Sequence, residues 1–412
     1  MPLLPAQPSV NIGTAGHVDH GKTTLVQTLT GVWASKHSEE LRRGITIRLG
    51  YADCAFYKCP TCPPPSNHSS QPKCPNCGSP GEFIRAVSFV DCPGHEVLMT
   101  TMLSGAAVMD GALLIIAADA RVPQPQTREH LAALEIVGVK NIVIVQNKVD
   151  LVTREQAFEN YRQIKSFIAG TIAEGAPIIP VSAQHRVNTD AVIEAIEKTI
   201  PTPRRDPAKT PYMYVVRSFD INKPGTQIED LAGGVVGGSI VEGRLSMDED
   251  IEIKPGVRSE KGGRGGYITL NTKVTSLFAG GRSVKDASSG GLVGVGTLLD
   301  PYLCKADGLI GNVLGQPGQL PPLKNSLTIA THLFENVIGT PELMRVESLK
   351  PNEPIVTNIG TAVTAGVITK TKKDQIELAV KKPVCTMPGS RIALNRKVAG
   401  KWRLIGYGIL KD

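Results

Sequence analysis

The sequence has no long apolar run. Its longest strongly apolar stretch, Ala112 to Ala118, is bounded by two aspartates and is far shorter than the ~20 residues that cross a bilayer as a helix. The segment from Met1 to Val10 contains three prolines and neither Lys nor Arg, so it lacks the charged and apolar regions of a secretory signal. The sequence therefore predicts a cytoplasmic protein with no membrane segment.

A disulfide framework is also missing. Four of the eight cysteines form two C-x-x-C pairs, whereas Cys54, Cys92, Cys304 and Cys385 are scattered, and this usage favours a reducing compartment. No internal repeat and no low-complexity tract are found.

What the sequence does contain is enough for several globular domains. It has 412 residues, of which 41% are hydrophobic and 20% charged, and at about 100 to 200 residues per domain this predicts two to four domains. The net charge of +7 favours a polyanionic partner through phosphate contacts, although a well-solvated surface can also be mildly basic.

Between Ser9 and Pro201, short apolar runs alternate with amphipathic stretches, which is the pattern of βαβ units around a mainly parallel sheet with helices on both faces. The predicted strands are Val10 to Ala15, Phe83 to Val90, Ala112 to Ala118, Ile142 to Gln146 and Ile178 to Val181. Two predicted helices have core-facing apolar residues, which are Phe158, Tyr161, Ile164, Phe167 and Ile168 in one and Val192, Ile193, Ile196 and Ile200 in the other.

A break in this pattern follows at Pro201 to Pro207, where three prolines make a linker the expected structure. Beyond it, Gly-rich turns separate strand-like stretches, which is typical of all-β barrels or sandwiches. A second seam falls at Pro317 to Pro322. The predicted domains are therefore 1–203, 204–322 and 323–412.

The segment from Gly16 to Thr23 reads Gly-His-Val-Asp-His-Gly-Lys-Thr and fits G-x-x-x-x-G-K-[ST] between a predicted strand and a predicted helix. In such a loop, backbone N–H groups and the helix start bind phosphates, Lys22 reaches the β and γ phosphates, and the Thr23 hydroxyl binds Mg²⁺. A Gly-rich turn that merely opens a helix is the alternative for this motif alone. The predicted phosphate-binding residues are Asp19, His20, Gly21, Lys22, Thr23, Thr24 and Gly94.

The motif Asp91-Cys-Pro-Gly94 directly follows a predicted strand, at the sheet edge where α/β proteins bind ligands. Asp91 is expected to hold Mg²⁺ through a water, and the Gly94 N–H to sense the γ-phosphate. Thr46 lies between this motif and the phosphate loop, so its hydroxyl could reach Mg²⁺ when the γ-phosphate is bound. His95 is the expected catalytic residue, which positions the attacking water. No arginine can be assigned to charge stabilisation, so slow hydrolysis with acceleration by a partner is expected.

The base is expected to be guanine. Asp150, in Asn147-Lys148-Val149-Asp150, can accept hydrogen bonds from the ring N–H and the exocyclic amine of guanine, whereas adenine offers neither donor there. Read alone, this motif is a common surface turn. Ser182-Ala183-Gln184 completes the predicted guanine site, with backbone amides facing the guanine oxygen.

Two C-x-x-C pairs form the second predicted site, within an insert at 58–78. Cys59, Cys62, Cys74 and Cys77 have a spacing suited to tetrahedral Zn²⁺. The segment between the pairs is too polar and Pro-rich to fold by apolar burial, so a structural metal would stabilise it. Redox chemistry and a metal-free knuckle remain alternatives.

With these residues in place, the chain resembles the gamma subunit of archaeal and eukaryotic translation initiation factor 2 over essentially its full length. The nucleotide motifs, including Arg43-Gly-Ile-Thr46, are shared with any elongation-factor-type GTPase. The narrower resemblance is to gamma-subunit segments rather than to elongation factors. It rests on Ser35 to Arg43, the cysteine insert, Tyr161 to Lys165, Arg217 to Thr226 and Lys401 to Gly406.

The resemblance implies an α/β P-loop GTPase domain followed by two β-barrels. It implies a heterotrimer with alpha and beta subunits, GTP-dependent delivery of methionylated initiator tRNA to the small ribosomal subunit, and hydrolysis with a GTPase-activating helper factor. It further implies that Asp19 and the Gly44 carbonyl approach Mg²⁺ and that Asn222 to Thr226 is a tRNA-contact candidate. Cys92 departs from the alanine frequent in this family, but it is small enough to preserve the loop.

Three other functions stay open. An elongation-type factor for another aminoacyl-tRNA shares every nucleotide motif and is disfavoured mainly by the cysteine insert. A regulatory GTPase without an RNA ligand belongs to a different class. A structural subunit with a vestigial nucleotide site is disfavoured because Lys22, Thr23, Thr46, Asp91 and Asp150 are all present.

Overall fold

The computed structural model describes residues 3–34, 46, 48–95, 98–259, 266–338 and 344–411. The chain divides into two compact units. The first consists of Met1–Pro203 with Asn336–Met344, and the second of Arg204–Glu335 with Arg345–Asp412. Among the described residues, no helix has both the length and the apolar character needed to cross a membrane.

The first unit is built on a sheet with seven strands among the described residues. They are β1 Val10–Ala15, β2 Gly50–Lys58, β3 His68–Ser69, β4 Glu82–Asp91, β5 Gly111–Ala117, β6 Ile142–Asn147 and β7 Ile178–Pro180. Their order is β3-β2-β4-β1-β5-β6-β7. Strands β4, β1, β5, β6 and β7 run parallel, whereas β2 and β3 are antiparallel additions. The predicted mainly parallel sheet is confirmed, and β2 and β3 were not predicted.

Helices cover both faces of this sheet. They are α1 Lys22–Thr30, α2 Met99–Ala106, α3 Pro125–Val137, α4 Arg154–Ile168 and α5 Thr189–Thr199. On one face, Leu25 of α1 and Ile196 of α5 share a core with Ile12 and Phe89. Helix α3 packs against β1 and β5. Because strand residues of the opposite orientation, such as Leu114, are equally buried, both faces exclude water.

Helix α4 begins at a reciprocal cap. The Thr153 side chain accepts the Gln156 N–H, and the Gln156 side chain accepts the Thr153 N–H, which satisfies two donors at the helix start. Ile164 is fully buried, but Phe158 is 53% exposed. The prediction that Phe158 faces the core was therefore wrong; it lines a surface groove next to Tyr161.

The second unit contains two closed barrels. The first comprises β8 Tyr212–Phe219, β9 Val235–Glu242, β10 Arg244–Ser246, β11 Asp250–Ser259, β12 Gly266–Ala279, β13 Arg282–Val284, β14 Asp286–Ser288, β15 Val293–Thr297, α6 Pro301–Cys304 and β16 Val313–Gly315. Strands β11-β16-β8-β9-β15-β12 pair in sequence, and pairing of β11 with β12 closes the ring. Met213, Ile253 and Leu277 lie in its core.

The second barrel comprises β17 Leu323–Leu333, β18 Pro354–Ile359, β19 Ala362–Lys372, β20 Gln375–Cys385, β21 Arg391–Val398 and β22 Lys401–Leu410. It closes in the order β17-β20-β19-β18-β21-β22. The two rings confirm the all-β prediction and decide for barrels over sandwiches. Both fall within one compact unit, so the domain boundaries at residues 203 and 322 stay predictions.

Candidate nucleotide site and cysteine cluster

The phosphate-loop motif connects β1 to α1, as its pattern requires. Gly16 and Gly21 have φ angles of 137° and 86°, a region that favours glycine. Space is also restricted, because a Cβ on Gly21 would lie 2.3 Å from Asn147 Nδ2. Gly21 is the residue that caps the start of α1, so the loop presents its backbone amides at a helix N-terminus, where anions bind.

Lys22 lies inside this loop. Its Nζ donates to the Gly16 carbonyl at 3.0 Å and to the His17 carbonyl at 2.6 Å. Burial lowers the pKa of Lys22 to about 8, and the nearby Asp91 opposes that shift. The ammonium is therefore held by neutral carbonyls, at a place where a phosphate would compete for its donors.

Three other predicted phosphate-binding residues, His20, Asp19 and Thr24, differ in how exposed their side chains are. The His20 ring is buried, with Nδ1 3.3 Å from the Ile115 carbonyl, and burial lowers its pKa to about 3. Its side chain is thus neutral and turned toward β5, so only its backbone faces a ligand. Asp19 is exposed, with φ 61°, and Thr24 is partly buried on α1.

Three of the predicted magnesium ligands, Thr23, Thr46 and Asp91, converge. The Thr23 hydroxyl donates to Asp91 Oδ2 at 2.7 Å and lies 3.1 Å from the Thr46 hydroxyl. These oxygens come from the start of α1, from the end of β4 and from Thr46, which lies between them in sequence. Hydroxyl and carboxylate oxygens are hard ligands of the kind that Mg²⁺ prefers, so the residues present fit that ion. Gly44 lies outside the described residues.

The segment after Asp91 covers the phosphate loop. Gly94 is buried, and a Cβ there would lie 2.3 Å from Lys22 Nζ and 3.0 Å from the Val18 nitrogen. A side chain at this position would therefore displace the buried Lys22 ammonium. His95 is exposed, and its carbonyl accepts the Leu98 N–H at 2.9 Å.

On the base side, Asn147 links two loops. Its Nδ2 donates to the His20 carbonyl at 2.9 Å, and its Oδ1 accepts the Ala183 N–H at 3.0 Å. The Ala183 amide, which was expected to face the guanine oxygen, is thus engaged by Asn147. Gln184 is exposed.

Asp150 stands at the rim with its side chain 28% exposed. A hydrogen bond from Ser182 is the main cause that holds the pKa of Asp150 below its usual value, and His185 and Lys148 add to it. The His185 Nε2 lies 3.6 Å from Asp150 Oδ2. Lys148 has φ 62° and lies 3.8 Å from an Asp119 carboxylate oxygen. A carboxylate that stays ionised at this position is suited to accept two donors of a purine edge.

Sequence reasoning missed several residues that position this site. The Thr14 hydroxyl donates to Asp91 Oδ1 at 2.8 Å and accepts the Cys92 N–H. The Thr28 hydroxyl donates to the Ala183 carbonyl, and the His130 ring accepts the Gly16 N–H. Each pair is separated by 77 residues or more in sequence, so no local motif could reveal it.

The four cysteines of the insert come together as predicted from their spacing. Their Sγ atoms all lie within 4.8 Å of one another, with Cys59 and Cys77 at 3.4 Å and Cys62 and Cys74 at 3.7 Å. Ligands about 2.3 Å from a tetrahedral Zn²⁺ stand about 3.8 Å apart, so the four sulfurs fit that ion. The donor chemistry fits as well, because Zn²⁺ is commonly bound by four cysteine thiolates in structural sites.

The cysteine cluster is remote from the nucleotide loops. It closes the connection between β2 and β4, at the Lys58 and Glu82 ends of these strands. Strand β4 is ten residues long, from Glu82 to Asp91, so Asp91 lies at its other end. At about 3.3 Å per residue, the two sites are about 30 Å apart along the strand.

A phosphate loop at a helix start, followed by a carboxylate at the end of the next parallel strand, is the arrangement of a P-loop nucleotide-binding domain. Residues 7–202 match the elongation factor Tu GTP binding domain family, and residues 325–410 match the family described as initiation factor eIF2 gamma, C terminal. Translation initiation factor 2 subunit gamma of Pyrococcus horikoshii is 57% identical over 406 residues, and that of Methanocaldococcus jannaschii 56% over 405, with 98% of each chain covered in both comparisons. The chain belongs to the gamma-subunit family of translation initiation factor 2, and it is a translation initiation GTPase.

Solved structures share the fold at low identity. The bacterial selenocysteine-specific elongation factor matches 98% of this chain with a TM-score of 0.75 at 22% identity, and the chain spans 58% of the length of that protein. The elongation factor SelB of Methanococcus maripaludis, in complex with a GTP analogue, matches with a TM-score of 0.73 at 20% identity, covering 100% of this chain and 80% of its own. At these identities the likeness concerns the fold alone.

Proposed function

We propose that this chain is the guanine-nucleotide switch that carries methionylated initiator tRNA to the small ribosomal subunit. It acts within a heterotrimer with alpha and beta subunits, and hydrolysis stimulated by a helper factor releases the tRNA. The observation that carries the proposal is the 57% identity to a gamma subunit over 406 residues. The convergence of Thr23, Thr46 and Asp91 supports an intact nucleotide site.

The phosphate side of the site comprises Asp19, His20, Gly21, Lys22, Thr23, Thr24 and Gly94. Backbone amides at the start of α1 bind the phosphates, and Lys22 shares its donors between them and the loop carbonyls. The Gly94 N–H responds to the γ-phosphate. His95 then positions the attacking water. Because His95 is exposed here, its ring must turn toward the phosphates for that role.

Thr23 and Thr46 supply hydroxyl ligands for Mg²⁺, Asp91 acts through a bound water, and Asp19 and the Gly44 carbonyl lie nearby. The bound ion would neutralise phosphate charge during hydrolysis. Thr46 comes from a segment remote in sequence from Thr23, so its contact can depend on which nucleotide is bound.

The base side comprises Asn147, Lys148, Asp150, Ser182, Ala183 and Gln184. Asp150 accepts the two donors of guanine, and Ser182 orients that carboxylate. Asn147 acts mainly as the tie between the His20 carbonyl and the Ala183 amide, so it holds the phosphate and base loops at a fixed separation.

Zn²⁺ is the proposed occupant of the Cys59, Cys62, Cys74 and Cys77 cluster, and its role is structural because four thiolates leave no open position. We further propose domains at 1–203, 204–322 and 323–412, with the cysteine insert at 58–78. In the second domain, Asn222 to Thr226 is the tRNA-contact candidate. The Asn222 side chain donates to the Ala232 carbonyl and accepts the Ala232 N–H. Asn222 therefore shapes this loop, and the residues that follow it, up to Thr226, would contact the RNA.

Retention of methionylated initiator tRNA on filters tests the proposal. Retention should require GTP, should be weak with GDP, and should strengthen when an alpha subunit is added. Equal retention of elongator tRNA would instead favour an elongation-type factor. The affinity for tRNA should fall steeply as the salt concentration rises, since phosphate contacts dominate such complexes. No tRNA retention at any salt concentration would favour a regulatory GTPase without an RNA ligand.

A further inference from the structure

A buried histidine outside the nucleotide motifs contacts the first residue of the phosphate loop. His130 lies on α3 and is 1% exposed. Its Nδ1 is 2.9 Å from the Gly16 nitrogen. We infer that His130 is a positioning residue for nucleotide binding, which fixes the start of the phosphate loop by accepting the Gly16 N–H. This inference rests on the proposed function of the loop.

The contact defines the state of the ring. A backbone N–H can only donate, so Nδ1 must be the unprotonated acceptor, and the ring proton is on Nε2. Burial, with Lys22 and His17 nearby, lowers the pKa of His130 to about 3. The imidazole therefore stays a neutral acceptor across the working pH range, and the anchor does not weaken between neutral and mildly acidic conditions.

The Gly16 peptide needs such an anchor because it leaves the sheet at this point. Its φ of 137° turns the chain away from β1, and a Cβ would lie 2.2 Å from the Ile115 carbonyl oxygen. The Gly16 N–H is directed to α3 rather than into the phosphate loop. Without His130 this buried donor would be left unpaired, and an unpaired backbone donor destabilises the conformation that leaves it so.

The two bonds at Gly16 differ in how a ligand affects them. The Gly16 carbonyl accepts from Lys22 Nζ, and a bound phosphate competes for the donors of Lys22. The N–H bond to His130 involves no group that the phosphates need. His130 is thus the contact that keeps the loop in place in both free and bound states, and its loss should be seen mainly in how long a diphosphate stays bound.

The test compares variants of the full chain by the dissociation rate of tritium-labelled GDP in a chase with unlabelled GDP. His130→Leu keeps the volume but removes the acceptor, and should release GDP about 10- to 100-fold faster. His130→Asn places its Oδ1 where Nδ1 stood, one bond from Cγ, and should restore a rate within about threefold of wild type. His130→Gln carries its oxygen one atom further and should resemble the leucine variant.

A matched control is available one turn earlier on α3. Thr127 is 1% exposed and its hydroxyl has no hydrogen-bond partner among the described residues, so Thr127→Val probes burial on the same helix without touching Gly16. It should leave GDP release unchanged. A long-range ¹H–¹⁵N spectrum of histidine-labelled wild-type protein should also show a neutral ring with the proton on Nε2.

Three results would overturn the inference. The first is GDP release from the leucine variant at the wild-type rate, and the second is the asparagine variant being as impaired as leucine. The third is the valine control being impaired equally, which would reveal a general packing defect. If the leucine variant does not fold, the comparison of asparagine with glutamine decides in the same way. Failure of wild type to bind GDP at all would instead refute the proposed function.

Discussion

The nucleotide site and the cysteine cluster occupy opposite ends of one strand, yet they are held in place differently. Around the nucleotide loops, polar side chains such as Asp91 and Asn147 lie at strand ends where the neighbouring apolar residues, such as Phe89 and Val145, are fully buried. The sheet therefore sets their positions before any ligand binds. The cysteine insert has no comparable apolar core among its described residues, since the residues between its cysteine pairs are largely polar or proline.

This difference indicates which site depends on its ligand for structure. Preorganised side chains lower the cost of binding, whereas a segment without a core gains its stability from the metal. Ligand loss should thus leave the nucleotide loops folded but should unfold the insert. The predictions that follow change one end at a time and ask whether the other responds.

The largest effect on nucleotide chemistry is expected for His95→Ala. Loss of the residue that positions water should slow helper-stimulated hydrolysis by about 10²- to 10⁴-fold, while GTP affinity stays within a few-fold. Single-turnover hydrolysis measures this directly. His332→Ala, an exposed histidine of the second barrel, is the control. A wild-type rate for the His95 variant would remove His95 from the chemistry.

Asp150→Asn should act on recognition rather than on the chemical step. The substitution replaces an acceptor with a donor, so GTP affinity should fall about 100-fold and xanthosine triphosphate should become the better ligand. Competition between the two nucleotides measures the preference. Unchanged selectivity for GTP would refute the assignment of Asp150 to the base.

Thr14→Val should give a smaller effect, because Thr14 touches Asp91 and not the nucleotide. Loss of its bonds to Asp91 Oδ1 and the Cys92 N–H should raise the Mg²⁺ concentration needed for half-maximal GTP binding by about three- to tenfold. Thr14→Ser retains the hydroxyl and should behave as wild type. An equal shift in both variants would mean that packing, not the hydroxyl, matters.

Cys62→Ser should have the smallest effect on GTP. Zinc content measured by atomic absorption should drop from about one ion per chain to none, and amide exchange within residues 58–81 should rise. GTP affinity should stay within about twofold, because the insert is separated from Asp91 by the length of β4. A large loss of GTP affinity would show that the two ends are coupled, contrary to the comparison above.

The sequence predicted what local patterns encode. The strand from Val10 to Ala15 has the predicted bounds, because an apolar, two-sided strand that runs into a glycine loop leaves a clear signature. Helix α4 was located, but the exposure of Phe158 was not anticipated, since periodicity cannot tell a core face from a surface groove. Strand β2 was missed because Asp53 interrupts its apolar pattern; in the sheet, Asp53 stands opposite Ser88 of β4.

For the site, motifs supplied the residues that would touch a ligand, and the fold supplied those that hold them. Asp91 follows directly from its place after a strand. Thr14 and His130 do not, because their partners are 77 and 114 residues away. Such contacts exist only once parallel strands and their helices are assembled, so a single sequence does not carry them.

Equilibrium binding of labelled GTP to the purified chain in the presence of Mg²⁺ tests the central claim most directly. A preorganised pocket with one base-reading carboxylate predicts saturable binding of about one GTP per chain. A hundredfold excess of ATP should not displace it, because a site built on specific hydrogen bonds discriminates by about 10⁴-fold or more. Absence of saturable binding, or displacement by ATP as effective as by GTP, would contradict it.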